Sequence, residues 1–309
     1  MAQKNLIILS VFIMFLLIGS YFLYFKYLQK SFPPENASTN WYVSPEGRDS
    51  NPGNVSTLPF QTIQMALNLA IPGDTINLLP GVYLQDFITV RNGTTSSPIT
   101  IMGPRTAIVE GAGSAHIVEI EHNYIRLIGF TVNGLWGDPG SASGYRLKTI
   151  YVQGKLTRSG VTGLLISNMN ITNSQGECIR LRYFAQYDEI FNNSIGPCGI
   201  NDFIFNGGGK NGEGVYIGTA PEQLGDGKNP TSDPDQSNYN WIHNNVVKTQ
   251  GSECVGVDHP GYSLDDAACQ GSPSPCPTWR DWESVRSRSS WGKSCCMGGL
   301  GPTRGPLGA

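Results

Sequence analysis

The sequence predicts an all-β fold built from stacked coils, and three observations predict it. Glycine is abundant, with 38 among 309 residues, which favours many tight turns. Short runs of alternating apolar and polar residues recur along the chain, as expected for strands with one buried face. Long stretches with the apolar periodicity of a helix are missing from the body of the chain.

An apolar run near the start predicts one transmembrane helix. Leu6 to Phe25 spans about 20 residues, which is enough to cross the hydrocarbon core of a bilayer. The aromatic residues at its end are typical of a membrane interface, whereas the cleavage site of a signal peptidase requires small residues. We therefore predict an uncleaved signal-anchor over residues 1–26 and a polar stalk over residues 27–40. A cleaved signal peptide is the alternative.

The sequence after this run predicts a location outside the cytosol. Five N-x-S/T sequons occur there, at Asn36, Asn54, Asn92, Asn170 and Asn192, together with all seven cysteines. The body is expected to be extracellular or lumenal, either anchored in the membrane or secreted. A net charge of −3 without a basic run argues against nucleic acid as a partner.

A single short helix is predicted ahead of the strands. The stretch Gln61 to Ala70 places Ile63, Ala66 and Leu67 on one helical face, and Pro72 follows it directly. The open end of a sheet must be covered to prevent edge pairing. We therefore expect this helix to cap the first coil.

Two types of strand alternate along the chain and define a solenoid. The first type covers residues 116–121, 148–153, 177–182, 213–218 and 253–258. The second type covers residues 124–132, 162–171, 187–195 and 239–247. Each pair predicts one coil, with longer loops inserted around residues 134–147 and 206–238. Units of this size are stable only when they are stacked, so we predict a β-helix over residues 41–257.

Alignment of the coils predicts which residues stack. Two inward columns are Val118, Ile150, Ile179, Val215, Val255 and Ile120, Val152, Leu181, Ile217, Val257. Asn168, Asn192 and Asn244 share another column, which predicts an inward ladder of hydrogen-bonded amides. An inward Asn192 is not available for glycosylation, so the predicted glycosylation sites are Asn36, Asn54, Asn92 and Asn170.

The start of the body resembles a known cap. The segments YVSPEGRDSNPG and PFQTIQMALNLAIPGDTINLLPGVY are similar to the N-terminal cap of right-handed parallel β-helix proteins of the pectate-lyase-like superfamily. That group includes alginate lyases, chondroitinase-B-type enzymes and calcium-dependent pectate lyases. The resemblance runs from about Trp41 to Val257. It implies a right-handed parallel β-helix that acts on acidic polysaccharide, often as a lyase that cleaves uronate polymers by β-elimination.

Three carboxylates on successive coils predict a calcium site. Glu177, Glu213 and Glu253 share a column, about 4.8 Å apart from strand to strand. Like charges at this distance require protons, basic neighbours or a bound cation. Calcium prefers oxygen ligands of this kind, so we expect it as a cofactor.

The neighbouring outward columns carry the residue types that a polyuronate lyase needs. Such an enzyme neutralises the substrate carboxylate, removes the C5 proton and protonates the leaving oxygen. We expect Arg180, Arg182 and Tyr216 to be catalytic, and Tyr151 and Lys148 to bind substrate. Alternatively, these residues form ordinary ion pairs and stacked aromatics on a non-catalytic carbohydrate-binding protein.

The last coil departs from the pattern of the lyases. Relatives carry a Lys base a few residues after the acidic strand, whereas Gly256, Asp258 and His259 stand here. From residue 258 to 309 no strand period is visible, which predicts a disordered tail or a segment foreign to the fold. The β-helix is then truncated at its C-terminus, which argues against lyase activity, although a lyase-like protein still ranks ahead of the non-catalytic alternative. A hydrolase ranks last, because paired aspartates are missing from these strands.

Two further features are structural in this interpretation. Cys178 and Cys198 lie about one coil apart and are disulfide candidates, with Cys178 to Cys254 as another pairing. The acidic residues of the second inserted loop are predicted to be solvated, because their spacing does not fit an EF-hand. They are Glu222, Asp226, Asp233 and Asp235.

Overall fold

The computed structural model describes residues 38–209, 211–258 and 294–296. The predicted signal-anchor and most of the predicted stalk therefore lie outside the described residues. So does most of the predicted tail. Within the described ranges, no helix combines the length and apolarity that crossing a membrane requires.

Three sheets run along the molecule, and each full coil contributes one strand to each of them. Sheet 1 contains β4 (Phe87–Ile88), β7 (His116–Ile120), β10 (Lys148–Gln153), β13 (Ile179–Arg182), β16 (Val215–Gly218) and β19 (Val255–Asp258). Sheet 2 contains β1 (Asn40–Val43), β2 (Thr75–Leu78), β5 (Ile99–Met102), β8 (Ile125–Ile128), β11 (Leu165–Ser167), β14 (Glu189–Phe191) and β17 (Trp241–His243). Sheet 3 contains β3 (Gly81–Tyr83), β6 (Ala107–Val109), β9 (Thr131–Asn133), β12 (Asn170–Thr172), β15 (Ser194–Cys198), β18 (Val246–Thr249) and β20 (Ser294–Cys296).

Strands of neighbouring coils pair in parallel, apart from β20, which pairs antiparallel with β18. Crossovers between parallel strands are right-handed in nearly all proteins. The chain is a right-handed parallel β-helix, which confirms the predicted fold. Because β20 lies within residues 258–309, the structure places one short strand in the segment for which no strand was predicted.

The inward columns of sheet 1 are those predicted. Ile150 pairs with Val118 on one side and with Ile179 on the other, and all three are fully buried. The register continues through Val215 to Val255. Aliphatic side chains that repeat at the same place in each coil therefore form one continuous core along the axis.

The predicted capping helix is α1 (Ile63–Leu69), at the first coil. The hydroxyl of Thr62 caps it by accepting a hydrogen bond from the amide of Met65. Its apolar face, including Ile63, is buried in the same core as β1 and β2. The other helical segments of the described residues are short: α2 (Ile200–Phe203) and two 3-10 turns, Ala142–Gly144 and Pro221–Gln223.

The predicted inward ladder of Asn168, Asn192 and Asn244 is wrong. All three side chains are exposed, and their φ angles lie between 52° and 57°. These residues form the bend where the chain leaves sheet 2 for sheet 3. Asn tolerates this left-handed backbone conformation better than most residues, which explains why it repeats at the bend.

The amide ladder lies one residue later, at Asn193 and Asn245. Both side chains are buried, and Asn193 Nδ2 donates to Asn245 Oδ1 at 2.9 Å. Each also donates to a carbonyl of the preceding coil, Asn193 to Ile166 at 3.0 Å and Asn245 to Ile190 at 2.8 Å. The ladder therefore ties successive coils together beside the exposed bend.

Candidate functional site on sheet 1

The register of sheet 1 brings most of the predicted site residues together. Tyr151 of β10, Arg180 of β13 and Tyr216 of β16 are direct neighbours across the sheet. The same register aligns Gln153 with Arg182. The predicted clustering of these side chains on one face is therefore observed.

This face is covered, however, and not exposed as predicted. We call residues 219–238 the strap, because this segment of the second inserted loop lies across the middle of sheet 1. Gln223 Oε1 accepts from Arg180 at 3.1 Å, and Asp226 Oδ1 accepts from Arg182 at 2.8 Å. Asn229 Oδ1 accepts from Arg182 Nε at 2.6 Å. As a result Arg180 is only 2% exposed.

The prediction that the acidic residues of this loop are solvated is wrong for Asp235. Its carboxylate is fully buried and accepts from the backbone amides of Tyr183 and Phe184, both at 2.8 Å. The hydroxyls of Thr219 and Ser237 donate to it as well. Asp235 therefore fixes the C-terminal part of the strap to the turn after β13.

A second contact of the strap is at the surface. Arg158 donates from Nε and Nη2 to the two carboxylate oxygens of Asp233, at 2.9 and 2.8 Å. This bidentate pair, with a hydrogen bond from Thr231, lowers the pKa of Asp233 to about 2. Exposure limits its contribution to stability.

Glu177 is the centre of a buried ion-pair cluster. Its Oε2 pairs with Lys148, and its Oε1 accepts from Arg180 at 3.2 Å. Burial opposes ionisation of Glu177, but the two cations outweigh burial and hold its pKa below the ordinary value. The guanidinium of Arg180 lies over the ring of Tyr216, 3.5 Å from Cζ to the ring centre.

Lys148 differs from the two arginines in exposure and in proton affinity. Its side chain is 15% exposed, against 2% for Arg180. Burial lowers the pKa of Lys148, because the attraction of Glu177 restores only part of what desolvation removes. Arg180 and Lys228 lower it further. A lysine in this environment is suited to accept a proton.

The carboxylates predicted to bind calcium are in register but do not form a ligand set. Glu177 gives both of its oxygens to cations, which repel a metal ion. Ser252 Oγ lies 3.1 Å from a carboxylate oxygen of both Glu213 and Glu253. Burial raises the pKa of Glu213. Among the described residues, no three metal-ligating side chains converge, and the calcium site stays a prediction.

The open end of the cluster is formed by His116. Its ring stacks on Tyr151 with centres 4.1 Å apart, and its Nδ1 lies 2.9 Å from Glu119. His116 pairs with Lys148 in the register of β7 and β10. The protected arginines and the partly open Lys148 therefore lie on one face, with His116 and Glu119 beside them.

Family comparison assigns the chain. A family model described as "Protein of unknown function (DUF1565)" matches residues 45–265, which is more than half of the sequence. The chain belongs to the DUF1565 family. A search of curated protein sequences finds no match.

Solved structures with a similar fold include polysaccharide lyases. An alginate lyase from Paenibacillus sp. str. FPU-7 is 21% identical, and the match covers 64% of this chain and 55% of the alginate lyase, with a TM-score of 0.46. A pectate lyase is 15% identical, and the match covers 59% of this chain and 46% of the pectate lyase, with a TM-score of 0.45. A mannuronic acid specific polysaccharide family 6 lyase from human gut microbiota is 14% identical. That match covers 72% of this chain and 52% of the lyase, with a TM-score of 0.41. This DUF1565 protein spans about half the length of these chains.

The remaining predicted residues of this DUF1565 protein are outside the cluster. Cys178 and Cys198, one of the two candidate pairings, form a disulfide that joins the residue before β13 to the end of β15. Of the predicted glycosylation sites, Asn54 and Asn92 are exposed, Asn170 is half-buried, and Asn36 lies outside the described residues. Asn192, which the sequence excluded, is exposed.

The strap and the lowered pKa of Lys148 were missed by sequence reasoning. Gln223 and Asn229 contact residues more than 40 positions earlier, and no local pattern reports such contacts. The length of the inserted loop was the available signal, because loops of this size in compact domains are usually functional.

Proposed function

We propose that this chain is a polysaccharide lyase that cleaves uronate-containing polymers by β-elimination, with Lys148 as the base. The observation that carries the proposal is the environment of Lys148, whose pKa burial lowers while its side chain stays partly open. Arg180 and Arg182, the bases suggested by the sequence, are occupied by the strap. The lysine that appeared to be missing from the last coil is thus supplied by β10.

Two groups of the cluster transfer the protons of the proposed reaction. Lys148 Nζ takes the proton from C5 of the uronate, the bond from C4 to the leaving oxygen breaks, and a C4–C5 double bond forms. Glu177 then holds the charge of the protonated amine. Glu213 provides the proton for the leaving oxygen, since its raised pKa keeps it protonated to higher pH. Arg180 positions Glu177 through their hydrogen bond.

The direct test is the ultraviolet absorbance of the unsaturated product. The full chain is incubated with alginate, pectate and glycosaminoglycans, and a rise in absorbance on one polymer supports the proposal. Lys148→Gln abolishes the rise, whereas Arg158→Gln, at an exposed pair outside the cluster, keeps it. Absence of product on every polymer from folded protein contradicts lyase activity.

The same assay tests calcium. The sequence predicts a calcium site at Glu177, Glu213 and Glu253, while the ion pairs of Glu177 favour neutralisation by protein cations. We expect the rate to survive removal of calcium by a chelator. A rate that vanishes with chelator and returns with added calcium restores the calcium prediction.

Binding without cleavage is the second candidate function. The strap covers Arg180 and Arg182. This burial favours a protein that binds acidic polysaccharide without cleaving it. Retention on immobilised polymer without unsaturated product distinguishes this function from a lyase. Strap variants decide whether the cover limits access to the face.

We also propose that the chain is held at a membrane with its β-helix outside the cytosol. The apolar run from Leu6 to Phe25 supports the anchor, and the exposed sequons Asn54 and Asn92 support the location. Extraction of membranes with alkaline carbonate leaves an anchored chain in the pellet. Recovery in the medium of a chain that lacks this apolar run instead supports secretion after cleavage. A mass shift on treatment with N-glycosidase reports glycosylation.

A further inference from the structure

The arginines of the cluster are not open to the carboxylate of a polymer. That carboxylate must be neutralised when the C5 proton leaves, because the carbanion formed beside it adds a second negative charge. Arg180 is only 2% exposed, and its two terminal nitrogens already bind Glu177 and Gln223. Arg182 is 4% exposed beneath the strap. The neutralising cation must therefore come from another side chain near Lys148.

His116 lies beside Lys148 on a part of sheet 1 that stays accessible. The two residues pair in the register of β7 and β10, and neighbouring strands lie about 4.8 Å apart. Among the described residues, the hydrogen bonds from the strap to sheet 1 reach β10 and β13 but not β7. The four residues before β7, Ala112 to Ala115, are small and exposed. The solvent therefore reaches this end of the cluster next to the proposed base.

Two contacts fix the imidazole ring of His116. One face stacks on the ring of Tyr151, with 15° between the two planes. Nδ1 lies 2.9 Å from Oε1 of Glu119, so this nitrogen donates to the carboxylate when it carries a proton. The two nitrogens of an imidazole point to different sides of the ring. Nε2 is therefore directed away from Glu119.

Nε2 is the part of His116 that the protein leaves unused. It has no hydrogen-bond partner among the described residues, and the side chain is 18% exposed. Within the described part of the chain, the buried side-chain nitrogens that lack a partner belong to Arg146 and Arg180. Nε2 is not one of them and therefore reaches solvent. A ligand atom can approach it without breaking a hydrogen bond of the protein.

Glu119 is the titratable group in direct contact with the imidazole. The hydrogen bond from His116 lowers the pKa of Glu119, so a carboxylate faces the ring. β4, on the other side of β7, contributes Phe87 and Ile88, which do not titrate. The other titratable groups around His116 are Lys148 and Tyr151 on β10, Lys155 after β10, and Asp86 and Arg146, which bind the backbone of Ser114.

We propose that His116, protonated and held by Glu119, binds the carboxylate of the uronate from which Lys148 takes the proton. Nε2 donates to a carboxylate oxygen of the sugar while Nδ1 donates to Glu119. The sugar carboxylate is attached directly to C5, so the group that neutralises it must lie beside the base. His116 meets this requirement, because it is one coil from Lys148. The inference rests on the proposed function for its class of ligand, an acidic sugar.

Binding at Nε2 is coupled to a proton. Glu119 keeps one proton on Nδ1, so a neutral ring presents a lone pair at Nε2, which repels a carboxylate. The acidic sugar therefore binds the doubly protonated ring. Its affinity falls as pH rises between about pH 5 and pH 8, the range in which histidines in proteins exchange a proton. The sugar carboxylates remain ionised over this range and do not cause the change.

The test is calorimetric binding of acidic trimers at several pH values. The full chain in detergent is titrated with trimers of galacturonate, mannuronate and glucuronate, each compared with its methyl ester. Lys148→Gln replaces the wild type for any trimer that the wild type cleaves. In His116→Gln we expect the affinity for the acidic trimer at low pH to fall by about tenfold or more. We also expect the pH dependence of that affinity to disappear.

His243 provides the matched control, because it forms the same kind of pair on sheet 2. Its Nε2 lies 3.0 Å from Oε1 of Glu189. We expect His243→Gln to leave the affinity and its pH dependence unchanged, and thermal melting checks the fold of each variant. If His116→Gln does not fold, Glu119→Gln decides in its place, with Glu189→Gln as its control. Loss of the Glu119 carboxylate removes the partner of Nδ1 and weakens binding of the same trimer.

The outcomes separate this site from the lyase proposal. Loss of acidic-trimer affinity and of its pH dependence in His116→Gln, with weak binding of the ester, supports the site even if no polymer is cleaved. Unchanged affinity or unchanged pH dependence overturns it. Equal affinity for acid and ester, or no binding of any trimer by folded protein, also overturns it. Cleavage of a polymer with unchanged trimer affinity in His116→Gln leaves the lyase proposal standing and removes the site.

Discussion

The guanidinium of Arg180 is enclosed between the ring of Tyr216, the carboxylate of Glu177 and the side chain of Gln223. Tyr216 is the direct neighbour of Arg180 across sheet 1, so their contact follows from the register of β13 and β16. This arrangement makes Arg180 part of the protein interior. Its loss is expected to affect folding before it affects chemistry.

Replacement of Arg180 by Ala is expected to destabilise the fold by about 3–5 kcal/mol, because the substitution leaves Glu177 buried with one cation fewer. Chemical denaturation measures the free energy of unfolding. Arg158→Ala is the control, and the exposed pair it breaks is expected to contribute far less to stability, because solvent screens exposed charges. Equal effects of the two substitutions would contradict a structural role for Arg180.

Glu177 predicts a loss of stability in acid. Its pKa is lower in the folded chain than the ordinary value of 4.5, so the unfolded chain binds its proton first as pH falls. The stabilisation is complete above pH 4.5 and is lost as pH falls through the folded-state pKa. In Glu177→Gln we expect unfolding free energy to depend less steeply on pH in that range. The same pH dependence of the unfolding free energy in both proteins would show that Glu177 does not cause the loss of stability in acid.

Lys148 predicts the pH dependence of cleavage. Because its pKa is lowered, the neutral amine forms below the pH at which an ordinary lysine loses its proton. Because cleavage also needs the proton of Glu213, we expect kcat/KM to rise with pH and then to fall, with both limbs below about pH 10.4, the ordinary lysine pKa. Lys148→Gln is expected to lower kcat by about 10²- to 10⁴-fold while the melting temperature remains measurable. A wild-type rate in this variant excludes Lys148 as the base.

Asp235 predicts how the strap is held. Asp235→Ala removes the acceptor of two buried backbone amides, each costing about 1–3 kcal/mol when left unsatisfied. We expect the strap, residues 219–238, to become the first site of cleavage in limited proteolysis, identified by mass spectrometry. Asp233→Ala breaks only a surface contact and serves as the control. Equal protection of the strap in both variants would show that Asp235 does not fasten it.

The amide ladder predicts opposite outcomes for adjacent asparagines. Asn193→Ala removes buried hydrogen bonds to Asn245 and to the carbonyl of Ile166, and is expected to cost about 1–3 kcal/mol. Asn192→Gly keeps the left-handed bend and is expected to change stability by only a few tenths of a kcal/mol, because its side chain is exposed. Thermal melts of the two variants measure the difference. The reverse order would support the column first predicted from sequence.

The parts of the fold predicted from sequence are those that repeat. Val118, Ile150 and Ile179 stand at equivalent places in successive coils, so their alignment also determines the register of the outward Arg180 and Tyr216. The asparagine column was found for the same reason, but repetition does not distinguish an exposed left-handed bend from an inward ladder. Both place identical residues one coil apart, and only the backbone conformation of Asn192 separates them.

The candidate site was predicted less well, because its environment depends on contacts that do not repeat. Arg182 is an outward residue in the pattern of β13, yet Asp226 and Asn229 bury it from 44 and 47 residues away. Burial in turn decides which cation has a lowered pKa and stays partly open. Lys148 was therefore identified as a site residue from sequence, while its proposed role as base required the position of the strap.

The strap has a consequence for the order in which the chain is made. Coils of a solenoid contact mainly their neighbours and form progressively as the chain lengthens. Arg180, Arg182 and the amides of Tyr183 and Phe184 leave the ribosome long before Asp235, which is 52 residues after Tyr183. During that interval the coil around β13 presents two arginines and two unsatisfied amides to the surrounding solution. Synthesis of the strap closes this interval, so the face of sheet 1 is most open while the protein is still being built.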